Sequence, residues 1–283
     1  MISNENSILV RLKTSFWSAY KKDKQASAET ARQYKMDKGT VSTNKKLLPK
    51  FVLKDINDTI NNFKTYFQKN TLPYNLALST RILPISSYFD FKQEEASVVA
   101  TLRKQVQEFE DNYDKYVAEA QAKLGDLFNP QDYPSKEKIA SRFDIRVFYL
   151  PIPTPATFNS QIDNVQILKL NEQLESMSAE VTLDLFLRAE KVVSALHNII
   201  VNDAKRIFTT TTNTNIEELL DQLDKLNYNN NQDIMDLRTL IEKELSNVRI
   251  DYIKNSEVYK DKLKTKTTDI LTKIAEYYEQ YKI

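Results

Sequence analysis

The sequence predicts an α+β protein that is mainly helical. It places a small antiparallel or mixed sheet in the amino-terminal half and an all-helical, coiled-coil-like carboxy-terminal half. Segments with alternating apolar and polar residues occur only before Pro155, whereas apolar positions three and four residues apart continue through the rest of the chain. Three prolines in "PIPTP" separate the two regions, because they cannot continue a strand ladder. We therefore predict an α+β domain over residues 1–156 and a helical domain over residues 157–283.

Three segments before Pro155 have the alternation typical of strands. They are Ile8–Ser18, Ile82–Phe91 and Arg142–Leu150. The last of these carries apolar residues on both faces, which predicts a central strand covered by helices. Because helical patterns separate the three segments, we expect a sheet assembled from distant parts of the chain.

Helical periodicity predicts the remaining elements of the amino-terminal half. A short helix is expected near residues 26–34, and an amphipathic helix over residues 51–69. The longest helix is predicted over residues 92–124, where a near-heptad stripe runs from Val98 to Leu124, and Gly125 ends it.

The carboxy-terminal half repeats the helical pattern without interruption by strand-like segments. One long helix is predicted to reach about residue 199, and two shorter ones cover residues 216–226 and 234–248. A final heptad stripe runs from Tyr259 to Tyr281. Such stripes pack against a partner helix, which lies either in the same chain or in a second copy. A homo-oligomer is the expectation for this protein.

Several enzyme classes are excluded by residue types that the chain lacks. With no cysteine and two glycines, it cannot form a thiolate metal site or the Gly-rich loops that bind phosphates. Its one histidine, His197, has no sequence partner that would make it a catalytic base. We therefore predict that the protein is not an enzyme, with no catalytic residue, cofactor or metal. No membrane segment or signal peptide is recognised, and a cytoplasmic location is expected.

The charge distribution predicts an anionic partner. The first 50 residues carry eleven lysines and arginines against four acidic residues, a net charge of +7, whereas the remaining 233 residues carry 29 basic and 35 acidic residues. A basic segment on an acidic body is typical of proteins that bind nucleic acid or an acidic protein surface. The candidate phosphate-binding residues are Arg11, Lys13, Lys21, Lys22, Lys24, Arg32 and Lys35.

Two aromatic residues in the same segment are candidates for stacking on bases. Trp17 and Tyr20 lie directly before the lysine cluster, and base stacking requires such rings to be exposed. A tryptophan is more often part of the core, which is the alternative interpretation of Trp17.

A resemblance to one protein family rests on three short stretches. They are "SFWSAYKKDK", "KGTVSTNKKLLPKF" and "SRFDIRVFYLPI". Together with the long charged helix, they resemble an uncharacterised phage and plasmid protein family over residues 1–156. Members of that family are often encoded near MoxR-type AAA+ ATPases and von Willebrand-type partners. The resemblance implies a phage accessory or assembly role in the host cytoplasm, with an AAA+ ATPase as a possible partner and no catalytic residues.

Two functions are therefore expected from the sequence. The first is a non-enzymatic, phage-type structural or adaptor protein that self-associates or docks partner proteins through its long amphipathic helices. The alternative is a single-stranded DNA or RNA binding protein that uses the basic amino-terminal segment.

Overall fold

A computed structural model describes residues 2–37, 39–154, 164–201, 211–248, 252–253 and 256–282. The described residues are mainly helical, with a small antiparallel sheet in the amino-terminal half and a helical carboxy-terminal half. The predicted fold class is confirmed. Pro155, the last residue of "PIPTP", lies outside the described residues.

The part of the chain that the structure describes contains strands near each of the three predicted segments and three further short strands. The strands are β1 (Ser7–Ser15), β2 (Tyr20–Asp23), β3 (Thr43–Lys46), β4 (Leu72–Pro73), β5 (Thr80–Pro84) and β6 (Asp144–Leu150). The α-helices are α1 (Lys24–Gln33), α2 (Lys54–Lys69), α3 (Tyr88–Asp111), α4 (Tyr113–Leu124), α5 (Lys136–Ile139), α6 (Asn164–Val201), α7 (Thr211–Leu226), α8 (Gln232–Leu245) and α9 (Glu257–Tyr281).

The chain forms two compact units, and their boundaries differ from the domains predicted from the sequence. The helical unit comprises Met1–Arg11, Tyr66–Lys92 and Phe148–Ile283. The ribbon unit comprises Leu12–Thr65 and Gln93–Val147. The first five residues of β1 thus belong to the unit that holds the carboxy-terminal helices, and its last four belong to the ribbon unit. The division into domains at residue 156 stays a prediction.

The four-stranded sheet has the order β4-β5-β1-β6. Strands β1 and β5 are antiparallel, with Ser7 opposite Pro84 and Arg11 opposite Thr80. The prediction that β6 is central is wrong, because β6 is the last strand in this order, next to β1, whereas β5 and β1 are the inner strands. Ile145 and Val147, on one face of β6, are buried, whereas Phe148, on the other face, is exposed. Both faces carry apolar residues, but only one of them is buried.

The strand predicted over residues 82–91 is shorter than expected. Its ladder ends at Pro84, and a single turn of 3₁₀ helix then leads into α3 at Tyr88. Proline lacks the N–H group that a continued ladder requires, which accounts for the early end.

The helix predicted over residues 92–124 is present as two helices, α3 and α4, which meet at Asn112. Gly125 follows α4 with φ of 51°, as predicted for a glycine that ends a helix. The stripe on these helices is buried inside the ribbon unit at Leu102, Val106, Phe109, Tyr113 and Ala120. A second copy of the chain is not needed to cover it.

The stripe on the terminal helix is also covered within its own unit, because α9 packs along α6. The aromatic ring of Tyr277 stacks on Phe186 with the ring centres 5.3 Å apart. His197 contacts the buried Thr267 hydroxyl through Nδ1 at 2.8 Å, so it is a hydrogen-bonded interhelical residue. The predicted homo-oligomer stays a prediction.

Two arginines hold the carboxy terminus of α2. Arg188 of α6 donates hydrogen bonds to the carbonyls of Lys69 at 2.6 Å and Thr71 at 2.7 Å, and Arg81 donates to the same Thr71 carbonyl at 2.8 Å. The last carbonyls of a helix lack partners inside the helix and carry partial negative charge, so cations stabilise them. Burial, followed by the charge of Arg188, lowers the pKa of Arg81.

We expect Arg188→Ala to lower the free energy of unfolding by about 2–3 kcal/mol, because hydrogen bonds to a charged group are among the stronger ones. Arg238→Ala is the matched control, since Arg238 makes surface ion pairs with Asp224 and Glu242 and should cost less than about 1 kcal/mol. Urea unfolding followed by circular dichroism measures both. Equal losses in the two variants would contradict this role of Arg188.

Tyr113 gives the ribbon unit a pH-dependent contribution to stability. Its buried phenol donates a hydrogen bond to the Pro134 carbonyl at 2.8 Å, and burial raises its pKa to about 12. A raised pKa means that folding favours the neutral phenol, so this stabilisation is complete below the unfolded pKa of about 10 and is lost as the pH rises toward 12.

We expect Tyr113→Phe to flatten the fall of the unfolding free energy between those pH values. Tyr34→Phe, which removes an exposed hydroxyl, is the control.

Candidate nucleic-acid interface

A short antiparallel ribbon in the basic segment forms the centre of the candidate site. Strand β2 pairs with β3 so that Tyr20 lies opposite Lys46 and Lys22 opposite Asn44. Ala19 turns the chain into β2 with a positive φ of 54°, and its carbonyl accepts a hydrogen bond from Leu47 N–H at 2.8 Å. The ladder is thereby extended at that end.

Helix α1 fixes the other end of the ribbon. Asp23 caps α1 by accepting a hydrogen bond from the Ala26 N–H at 2.9 Å. The Ser27 hydroxyl of the same helix accepts a hydrogen bond from the Thr43 N–H at 2.9 Å. These bonds join the last residue of β2 and the first residue of β3 to one helix.

The inner face of the ribbon is anchored by an ion pair. The Lys45 ammonium lies 2.7 Å from the Asp132 carboxylate, and both side chains are only 11% exposed. The same ammonium donates to the Leu127 carbonyl at 2.7 Å, whereas Lys21 lies at 4.0 Å from Asp132. Lys45 and Lys21 therefore face Asp132.

The outer face carries the opposite residues of each strand. Side chains directly opposite in an antiparallel pair share a face, and neighbours along a strand alternate. The outer face consequently bears Tyr20, Lys22, Asn44 and Lys46, all of which are exposed. It has two lysines and no carboxylate.

An apolar groove of about 530 Å³ adjoins this face. Tyr20 belongs to both, and Phe16 and Phe51 line the groove with it. These rings remain 44%, 49% and 68% exposed, respectively. Lys50 and Lys54 also line the groove.

Local sequence explains why Phe51 points outward. Pro49, with φ of −58°, precedes a turn of 3₁₀ helix over Lys50–Leu53. Leu48 and Leu53 are buried on either side of the turn, and one turn cannot bury every residue. Phe51 consequently faces solvent.

The structure gathers some of the predicted site residues on this surface and places others elsewhere. Tyr20 and Lys22 lie together on the outer face, and Lys21 lies on the inner face. Trp17 packs edge to face against Tyr113 with ring centres 6.3 Å apart, which favours the core interpretation of Trp17. Exposed positions outside the ribbon are occupied by Arg11, Lys13, Lys24, Arg32 and Lys35.

Sequence reasoning missed the partner strand of the site. Lys46 lies on the outer face because β3 pairs with β2. The groove adds four further residues to the site, Phe16, Lys50, Phe51 and Lys54. The alternation in "TNKK" was the available signal, but four polar residues are too few to distinguish a strand from a loop.

A second cavity in the ribbon unit, of about 600 Å³, has a different character. Its lining includes the carboxylates of Glu95, Glu110 and Asp144 together with Arg103 and Arg146. Arg146 and Asp144 form an ion pair at 3.1 Å. This mixture of charges does not match a polyanion, so the ribbon is the better candidate.

Comparison of the chain with protein-family models, curated proteins and solved structures gives no match. Within the described parts of the chain, no three metal-binding side chains are grouped together. The helices described there include none that combines the length and the apolar composition required to span a bilayer.

We expect Asp132→Ala to loosen the ribbon, because it leaves the Lys45 ammonium partly buried without its carboxylate. The free energy of unfolding should fall by about 1–3 kcal/mol, and the amides of β2 and β3 should exchange faster with deuterium. Glu108→Ala removes an exposed carboxylate 4.0 Å from a lysine and serves as the control. Unchanged exchange in both strands would show that the ion pair does not hold the ribbon.

Proposed function

We propose that this protein binds nucleic acid and that the outer face of the ribbon contacts the phosphate backbone. The observation that carries the proposal is the placement of Lys22 and Lys46 on one exposed face that has no carboxylate. Phosphate contacts neutralise charge and release counterions, so clustered exposed lysines favour binding to any polyanionic strand.

The ribbon favours contacts to the backbone over reading of base sequence. Lysine ammonium groups are point charges on flexible stems and lack the planar fork with which arginine recognises a guanine edge. Contacts of this kind position the ligand without carrying sequence information. The proposed activity is therefore binding with little sequence preference.

The adaptor function expected from the sequence has less support. Its motivation was the pair of long heptad stripes, and both are buried within their own units. A phage accessory role, an AAA+ ATPase partner, a homo-oligomer and a cytoplasmic location stay predictions. None of them conflicts with nucleic-acid binding.

We expect Lys22→Glu combined with Lys46→Glu to weaken binding at least about tenfold at low salt. The loss should be similar for all sequences, and the slope of log affinity against log salt should flatten by about 1.4–1.8 for the two lost contacts. Fluorescence anisotropy with a labelled oligonucleotide over a salt series measures both quantities.

The matched control is Lys262→Glu combined with Lys264→Glu. These exposed lysines lie on α9 in the helical unit, and the change in net charge is identical. An equal loss in the control would assign binding to overall charge. The absence of binding by the unmodified protein, even at about 50 mM salt, would overturn the proposed function.

A further inference from the structure

We infer that the groove beside the ribbon is a binding site for unpaired nucleobases, so that the ligand is a single strand. The inference rests on the proposed function and adds to it the class of nucleic acid. Its basis is a wall of three accessible rings, from Phe16, Tyr20 and Phe51, next to the lysines of the outer face.

The exposure of these rings indicates a binding surface. Exposed aromatic surface costs free energy in water, and a contiguous patch of it in a concave site is typical of ligand-binding grooves. Phe51 is 68% exposed although its neighbours Leu48 and Leu53 are buried. The 3₁₀ turn thus presents this ring to the groove while the residues around it form core.

The charge of the groove and its surroundings identifies the occupant as anionic. Lys50 and Lys54 line the groove, and the Lys64 ammonium lies 5.6 Å from the centre of the Phe16 ring. Among the described residues that line the groove, Asp58 is the one with a carboxylate, and it pairs with Lys54 at 3.5 Å. Together with Lys22 and Lys46, these lysines outnumber the single carboxylate, so the groove and its surroundings carry a positive net charge.

A single strand fits this combination better than a duplex. The bases of a duplex are paired and stacked on one another, whereas an unpaired base has free faces for aromatic side chains and free edges for hydrogen bonds. Asn57 in the lining offers an amide with donors and an acceptor for such an edge. Because Tyr20 belongs to both the groove and the outer face, base contacts and phosphate contacts lie side by side.

The experiment compares three labelled probes at one salt concentration. They are an oligothymidylate of about 20 nucleotides, an abasic strand of the same length and a duplex of the same length, long enough for one binding site. We expect the oligothymidylate to bind at least about tenfold more tightly than either of the others, since each stacked base contributes substantially.

The variants Phe51→Ala and Phe16→Ala should weaken binding of the oligothymidylate by about 5- to 100-fold and leave the abasic strand unaffected. Phe51→Trp should retain binding, because a larger ring still stacks. Phe89→Ala is the matched control, since Phe89 is 80% exposed and lies in the helical unit. Phe51 is the decisive position, because its exposure allows truncation without loss of the fold.

The outcomes separate this inference from the function on which it rests. Equal affinity for the oligothymidylate and the abasic strand, or no effect of Phe51→Ala, would overturn the base-binding groove and leave backbone binding intact. A failure to bind any of the three probes would overturn the proposed function itself. If an apolar peptide bound in the groove and did not compete with nucleic acid, the groove would be assigned to a protein partner and the inference would be overturned.

Discussion

The ion pair between Lys45 and Asp132 determines which residues the ribbon presents to solvent. Side chains alternate along a strand, so the neighbours of Lys45, Asn44 and Lys46, point away from Asp132. Because Tyr20 and Lys22 are directly opposite these two residues in the antiparallel pair, they lie on the same outer face. A shift of the strand register by one residue would exchange the side chains on the two faces. The composition of the candidate interface is therefore a consequence of one partly buried contact.

Much of the fold could be predicted because periodicity reflects burial directly. The stripe of α2, with Ile56, Ile60 and Phe63 buried, is visible in the sequence as steps of four and three. Strand β1 was similarly visible through its alternation. The break at Asn112 was not, because the apolar spacing continues across it from Phe109 to Tyr113 while the backbone does not remain helical. Periodicity describes which side chains are buried and says less about whether the helix is continuous.

The candidate site was predictable only in part, because it is assembled by pairing across the chain. Local composition identified an excess of lysine, and Tyr20 and Lys22 were among the residues it selected. It could not distinguish Lys21 from Lys22, since their difference lies in the direction of the side chain toward or away from Asp132. Nor could it select Phe51, whose exposure depends on the 3₁₀ turn after Pro49. Both distinctions require the partner segment in three dimensions.

The interleaving of the two units has a consequence for the order in which the chain folds during synthesis. All segments of the ribbon unit have been made once Val147 has left the ribosome, whereas the helical unit still lacks everything after Phe148. Residues Met1–Arg11 are made before the ribbon unit, yet the helices that complete their unit are made after it. We expect the ribbon unit to become compact early and residues Met1–Arg11 to reach their final environment later, because the helices that complete their unit are not yet made. Residues that are made before the whole ribbon unit are therefore expected to reach their final environment after it.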